Sequence, residues 1–100
     1  MVKLIALFRT PPDPAGFDTH YDTVHKPLLR AFPGLRKLEI TRITGAPIGT
    51  SRYHLLCEIY FDNKDAMDEA LASPQGRAVA RDLMGFAPDL VTVFHGDVAD

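Results

Sequence analysis

Tyr21 and His25 lie four residues apart in the segment Phe17-Asp18-Thr19-His20-Tyr21-Asp22-Thr23-Val24-His25-Lys26-Pro27-Leu28. On a helix that spacing puts their side chains one turn apart, where they meet. An imidazole titrates near neutral pH and can move a proton to or from an organic substrate without a cofactor. A phenol beside it can orient the ring or donate to a carbonyl oxygen. The structural alternative has His25 bonded to a carbonyl freed by Pro27 and Tyr21 packed in the core with its hydroxyl satisfied. His20 falls on the helix flank. Its five-residue separation from His25 departs from the i, i+4 spacing of a helical metal pair, so no metal site is expected.

A second group lies on a strand. His54, Glu58 and Tyr60 alternate onto one face of Tyr53 to Phe61. Glu58 facing a histidine would set its protonation. The alternative is a salt bridge across a subunit boundary to Arg9 or Lys3. The candidate catalytic residues are therefore His25, Tyr21 and Glu58, and the candidate ligand contacts are Arg9, His54, Tyr60 and His20. His95 is a conceivable haem ligand, but nothing else in the sequence supports haem, and no cofactor is expected. Cys57 sits on an apolar strand face and reads as inert core. The turn after the first strand is proline-rich, not glycine-rich, which leaves nucleotide binding unsupported. No Ser-His-Asp arrangement stands out.

The elements that position these groups follow from pattern and punctuation. Val2 to Thr10 alternates as a strand and ends at Pro11-Pro12-Asp13-Pro14. A helix from about Ala15 or Phe17 to Ala31 should carry Phe17, Tyr21, Val24, Leu28 and Phe32 on its apolar side, with Pro27 kinking or dividing it near His25-Lys26. Leu35 to Thr44 is β-branched, with spaced charges, and suits a partly exposed strand. Tyr53 to Phe61 is a third strand, with Leu55, Cys57, Ile59 and Phe61 on its apolar face. Asp62 or Asn63 should cap a helix over about Lys64 to Ala72. Ser73-Pro74 opens another helix, with Met67, Leu71, Val79 and Leu83 forming a core stripe along the pair. Leu90 to Gly96 is the last strand. The order is β-α-β-β-α-β, a ferredoxin-like α+β domain with a four-stranded antiparallel sheet, spanning 1–100 as one unit.

Composition sets the outer limits. The chain has 100 residues, 46% hydrophobic and 24% charged, with a formal net charge of -2. No basic cluster marks a nucleic-acid surface. A single cysteine rules out an internal disulfide and suits a reducing compartment. The apolar start Val2 to Phe8 is too short to span a membrane or serve as a signal sequence. A cytoplasmic protein with no membrane or nucleic-acid partner is expected.

The strands are apolar on both faces. Ile5 and Leu7 oppose Leu4 and Phe8, Leu56 opposes Leu55, and Val91, Val93 and Phe94 populate the last strand. With helices on one face only, the other must meet a partner. A two-fold homodimer that clasps sheet to sheet is the expectation, with a cavity for a small apolar organic ligand beside the first helix.

Phe17-x-x-His20-Tyr21-x-x-x-His25-x-Pro27-Leu28, then Pro33-Gly34-Leu35 and Ser73-Pro74-x-Gly76 with Asp82-Leu83 and Phe86, resemble the EthD family of the dimeric α+β barrel superfamily. The resemblance covers nearly the whole chain and implies a homodimeric barrel with a cleft per subunit between sheet and helices. It implies His25 as the motif histidine and an association with oxidative degradation of ethers and other xenobiotics. On that basis the function is a cofactor-independent oxidoreductase or acid/base enzyme acting on a xenobiotic, quinone, lactone or polyketide-like compound. The alternative is a non-catalytic ligand-binding accessory protein of an oxidative pathway. Fold alone does not select among these reactions.

Overall fold

The computed structural model describes residues 1–99, and Asp100, the last residue of the expected domain, lies outside them. Four strands form one antiparallel sheet: β1 (Val2–Arg9), β2 (Lys37–Arg42), β3 (Tyr53–Phe61) and β4 (Val91–Asp97), in the spatial order β2-β3-β1-β4. The helices are α1 (Pro14–His20), α2 (Lys26–Arg30), α3 (Lys64–Ala72) and α4 (Pro74–Phe86). This is the ferredoxin-like α+β arrangement read from the sequence.

The core lies between the helices and one sheet face. Val2, Leu4, Ala6 and Phe8 of β1 and Leu55, Cys57, Ile59 and Phe61 of β3 pack with Phe17, Tyr21, Leu29, Met67, Ala70 and Val79 from the helices. Each large side chain buried this way contributes roughly 1.5–3 kcal/mol. Leu71, expected in the core stripe, is 39% exposed.

The first helix departs from a regular α-helix in a way that shapes the site. Between α1 and α2, residues Tyr21–His25 form a π-helical turn, closed by the Lys26 N–H donating to the Tyr21 carbonyl. Pro27 is the cause. It has no N–H for the Thr23 carbonyl, and in an α-helix its ring would strike that carbonyl. One extra residue in the turn relieves the conflict, and the helix is divided at this point, as expected, by a widened turn. The buried stripe becomes Phe17, Tyr21, His25 and Leu29, four residues apart throughout, while Val24 turns outward at 41% exposure.

Asp13 caps α1 by accepting from the Gly16 N–H at 3.1 Å, and Asn63 caps α3 by accepting from the Ala66 N–H at 2.9 Å. Ser73 caps α4 through the Gly76 N–H at 3.0 Å, with Pro74 in the first turn. Gly76 is required by close approach: a Cβ there would lie 2.2 Å from the Ala70 carbonyl oxygen. The tight junction of α3 and α4 fixes the direction of α4, and with it the residues α4 turns toward α1.

A β-bulge alters β3. Phe8 pairs with Leu55 but Arg9 pairs with Tyr53, leaving His54 as the extra residue. The alternation reverses there. His54 therefore does not share a face with Glu58 and Tyr60, as strict alternation would have it. It turns under α1, edge-on to the Phe17 ring with centroids 5.4 Å apart, and donates to Asp18 at 2.7 Å.

The second sheet face carries no helix. Ile5, Leu7, Leu56, Glu58 and Tyr60 are half-buried on it, and Phe94 of β4 is exposed. Charges interrupt the apolar surface. Glu58 and Glu39 stand directly opposite each other across β2 and β3, and each has a lysine: Lys3 at 2.5 Å from Glu58, Lys37 at 3.4 Å from Glu39. The two lysines also flank the Tyr60 ring, at 5.5 and 5.3 Å from its centroid. Among the described residues, no helix is long and apolar enough to cross a membrane.

Candidate functional site

The π-helical turn brings His20 and His25 together. At α-helical pitch, residues five apart diverge around the axis; at π pitch they align. Both imidazoles reach one carboxylate, Asp82 of α4. His20 Nε2 lies 2.9 Å from Asp82 Oδ1 and 3.1 Å from Oδ2, and His25 Nδ1 lies 2.9 Å from Oδ2. An ionised carboxylate only accepts hydrogen bonds, so each facing nitrogen carries a proton. The tautomers follow. A neutral His20 would be the Nε2–H form with a lone pair on Nδ1, and His25 is the Nδ1–H form with a lone pair on Nε2.

The two histidines differ in environment. His25 is 3% exposed. Burial holds its pKa below the ordinary 6.5, outweighing the opposite pull of Asp82, and nearby His20 acts in the same direction as burial. His25 is therefore a neutral, fixed ring at pH 7. The His20 side chain is 35% exposed. It stands in the wall of a cleft of about 350 Å³, together with Pro11, Pro12, Phe17, Phe86 and Leu90.

Phe86, one helical turn beyond Asp82, is the hub of the cluster. Its ring centroid lies 4.5 Å from that of His20, 5.0 Å from His25 and 5.5 Å from Phe17. It separates the buried His25 from the cleft. Tyr21 packs behind, 5.2 Å from the His25 ring, and is 1% exposed. Its hydroxyl has no hydrogen-bond partner among the described residues. Burial raises the Tyr21 phenol far above its usual range, with the Cys57 thiol a lesser influence. Burial also pushes Cys57 up to about 11, which keeps it a protonated thiol.

The residues singled out from the sequence thus separate into distinct places. Tyr21, His25 and His20 cluster, but the cleft wall is His20; His25 and Tyr21 lie behind it. Glu58 and Tyr60 are on the opposite sheet face. Glu58 pairs with Lys3, whose pKa is raised chiefly by that hydrogen bond, and the carboxylates that face histidines are Asp82 and Asp18. Arg9 flanks the cleft: its guanidinium donates to the Asp89 carbonyl and its N–H to the Leu90 carbonyl at 2.9 Å. Sequence reasoning left Asp82 without a role and set His20 aside from the apolar stripe. The available signal was Pro27, which forces the helix to change pitch at the point where a five-residue spacing becomes a pair. Among the described residues, no three His, Cys, Asp or Glu side chains are placed to hold a metal ion.

An aromatic cleft with an imidazole in its wall, on a ferredoxin-like α+β scaffold, does not by itself select one reaction. The pattern of the EthD domain matches residues 9–89, and the chain belongs to the EthD family. It is similar to an ethyl tert-butyl ether d (EthD) family protein of Bacillus halodurans, 43% identical, with a TM-score of 0.97 over 99% of each chain. It is also similar to an uncharacterised 11.0 kDa protein of Rhodococcus erythropolis from the thcB–thcC intergenic region, 30% identical over 97% of this chain and 94% of that one. More distant solved structures share the fold. One is a dimeric ferredoxin-like protein of Bacteroides fragilis, 22% identical with a TM-score of 0.68 over 97% and 95% of the two chains. Another is SnoaB, a cofactor-independent oxygenase of Streptomyces nogalater, 21% identical with a TM-score of 0.66 over 98% and 91%.

Proposed function

We propose that this protein is a cofactor-independent acid/base enzyme acting on a small apolar organic compound held in the cleft, with His20 as the catalytic base. The observation that carries this reading is the shared carboxylate: Asp82 binds His20 Nε2 at 2.9 Å, which leaves the Nδ1 lone pair as the ring's basic position. Asp82 is a positioning residue. It fixes the tautomer and stabilises the imidazolium formed when Nδ1 takes a proton, as the carboxylate of an acid/base triad does. His25 holds the other side of Asp82 and stays neutral, which leaves His20 as the ring that takes the proton. Glu58, on the far sheet face, takes no part.

Proton removal from a C–H or O–H acid yields an organic anion. Returned to another atom, the proton completes an isomerisation or cyclisation; met by dioxygen, an electron-rich anion can be oxidised directly. The second outcome agrees with the oxidoreductase reading and with SnoaB, described as a cofactor-independent oxygenase. The unroofed sheet face, with half-buried Ile5, Leu7 and Leu56, supports a homodimer in which a second copy covers it. Light scattering should then return twice the chain mass.

The test of the chemistry is hydrogen–deuterium exchange at the α-carbon of 2-tetralone and 1-indanone in D2O, followed by NMR. The wild-type protein should accelerate exchange, and His20→Ala should lose the acceleration by a factor of about 10²–10⁴ while remaining folded. Binding without exchange, or full exchange by the His20→Ala protein, overturns the catalytic reading in favour of a ligand-binding accessory role.

A further inference from the structure

We infer that the cleft selects uncharged, flat hydroxyaromatic compounds of one or two rings, that it rejects their carboxylates, and that Asp13 is the specificity-determining residue. The inference rests on His20 being the group that meets the bound compound, and it adds a second polar contact at the other end of the same cleft.

Asp13, Phe17 and His20 are spaced i, i+4, i+7 and therefore share one side of α1; all three line the cleft. At 1.5 Å rise per residue, Asp13 and His20 lie about 10 Å apart along the helix. The Phe17 and Phe86 rings stand between these ends, tilted 48° at 5.5 Å, and Pro11, Pro12 and Leu90 complete the apolar walls. A volume of about 350 Å³ is at the lower end for small-molecule sites, roughly 300–1,000 Å³. It suits one or two fused rings.

Both polar ends are acceptors. Asp13 uses Oδ1 to cap the helix through the Gly16 N–H. Its Oδ2 is the oxygen that a Cβ at Gly16 would strike at 2.3 Å, so glycine at that position keeps the carboxylate seated against the cleft wall. At the other end, His20 offers Nδ1, with the Asp82 charge behind it. Among the described residues, no lysine or arginine lines the cleft. Arg9, two residues before Pro11, directs its guanidinium to the Asp89 carbonyl. A ligand carboxylate would meet the Asp13 carboxylate at one end and, at the other, an imidazole backed by the Asp82 charge, with the flanking Arg9 guanidinium engaged by the Asp89 carbonyl; a hydroxyl at each end of a flat ring system meets an acceptor at each end.

Isothermal titration at pH 7.5 with 2,6-dihydroxynaphthalene, 6-hydroxy-2-naphthoate and naphthalene tests this without requiring turnover. The diol should bind at least tenfold more tightly than the hydroxynaphthoate and than naphthalene. Asp13→Asn keeps a good helix cap but removes the charge. It should shrink the preference over the hydroxynaphthoate to threefold or less. Equal or tighter binding of the carboxylate, no binding of the diol, or an unchanged preference in Asp13→Asn overturns the inference. Catalysis is read separately. Loss of exchange in His20→Ala with the binding preference absent sinks only the selectivity, and the preference without exchange sinks only the chemistry.

Discussion

His20 and His25 are five residues apart and share one carboxylate, because the helix between them widens into a π-helical turn. In an α-helix the two rings would point apart. The turn exists because Pro27 cannot complete an α-helical bond to Thr23. A backbone defect in one element thus creates a side-chain pair, and α4 supplies the acid that joins it.

Asp82→Asn should unfold more easily. Asparagine replaces the charged acceptor with a neutral one, so the two ring N–H groups must share a single amide oxygen or one of them must face the NH2 donor. The cost for a buried group is about 1–3 kcal/mol, or on the order of 10 °C in Tm for a domain of this size. A thermal melt of the variant equal to wild type contradicts the shared-acceptor geometry.

Stability should fall on acidification through His25. Its folded pKa is held below the ordinary 6.5 by burial, so below about that pH the unfolded chain binds more protons than the folded one. The contribution is complete above pH 6.5 and is lost progressively as pH drops toward the depressed folded value, with a slope of at most about 1.4 kcal/mol per pH unit. Urea denaturation at pH 7.5, 6.0 and 5.0 should show this trend, and His25→Gln should flatten it. A steeper loss in His25→Gln than in wild type would reverse the assignment.

Tyr21→Phe should leave stability unchanged or raise it by up to about 1 kcal/mol, because it removes a buried hydroxyl that has no hydrogen-bond partner among the described residues beyond a weak interaction with the Cys57 thiol. Exchange activity should persist, since the ring packs behind His25 and does not line the cleft. A loss of more than about 1 kcal/mol in urea titration would show that the hydroxyl is bonded.

Gly76→Ala should destabilise the protein by about 1–3 kcal/mol, the usual cost of overpacking. The added methyl meets backbone, the Ala70 carbonyl oxygen at 2.2 Å and the Leu71 carbonyl oxygen at 2.7 Å, and neither can swing away. Circular dichroism melts read the effect. Wild-type stability would mean that α3 and α4 are free to separate.

The order of elements along the chain, a helix cap at Asp62 or Asn63, the helix start at Ser73-Pro74 and the buried faces of β1 and β3 were legible in the sequence because each follows from local periodicity or turn chemistry. The family was legible from the helix motif. What escaped were features in which periodicity breaks. Regular α pitch placed Val24 inside and His20 on a flank; the π turn reversed both. Regular alternation grouped His54 with Glu58; one bulge residue separated them. Asp82 lies 57 residues from His25, and no local pattern joins residues so distant. Tertiary packing alone makes that contact.

The most direct measurement is long-range 1H–15N NMR of the imidazole rings at pH 7.5. His20 should report a proton held on Nε2 and His25 the fixed, neutral Nδ1–H tautomer, and Asp82→Asn should release at least His20 into exchange between tautomers. Rings that exchange freely in the wild-type protein, or a His25 charged at that pH, would contradict a carboxylate held between two histidines and the base it leaves facing the cleft.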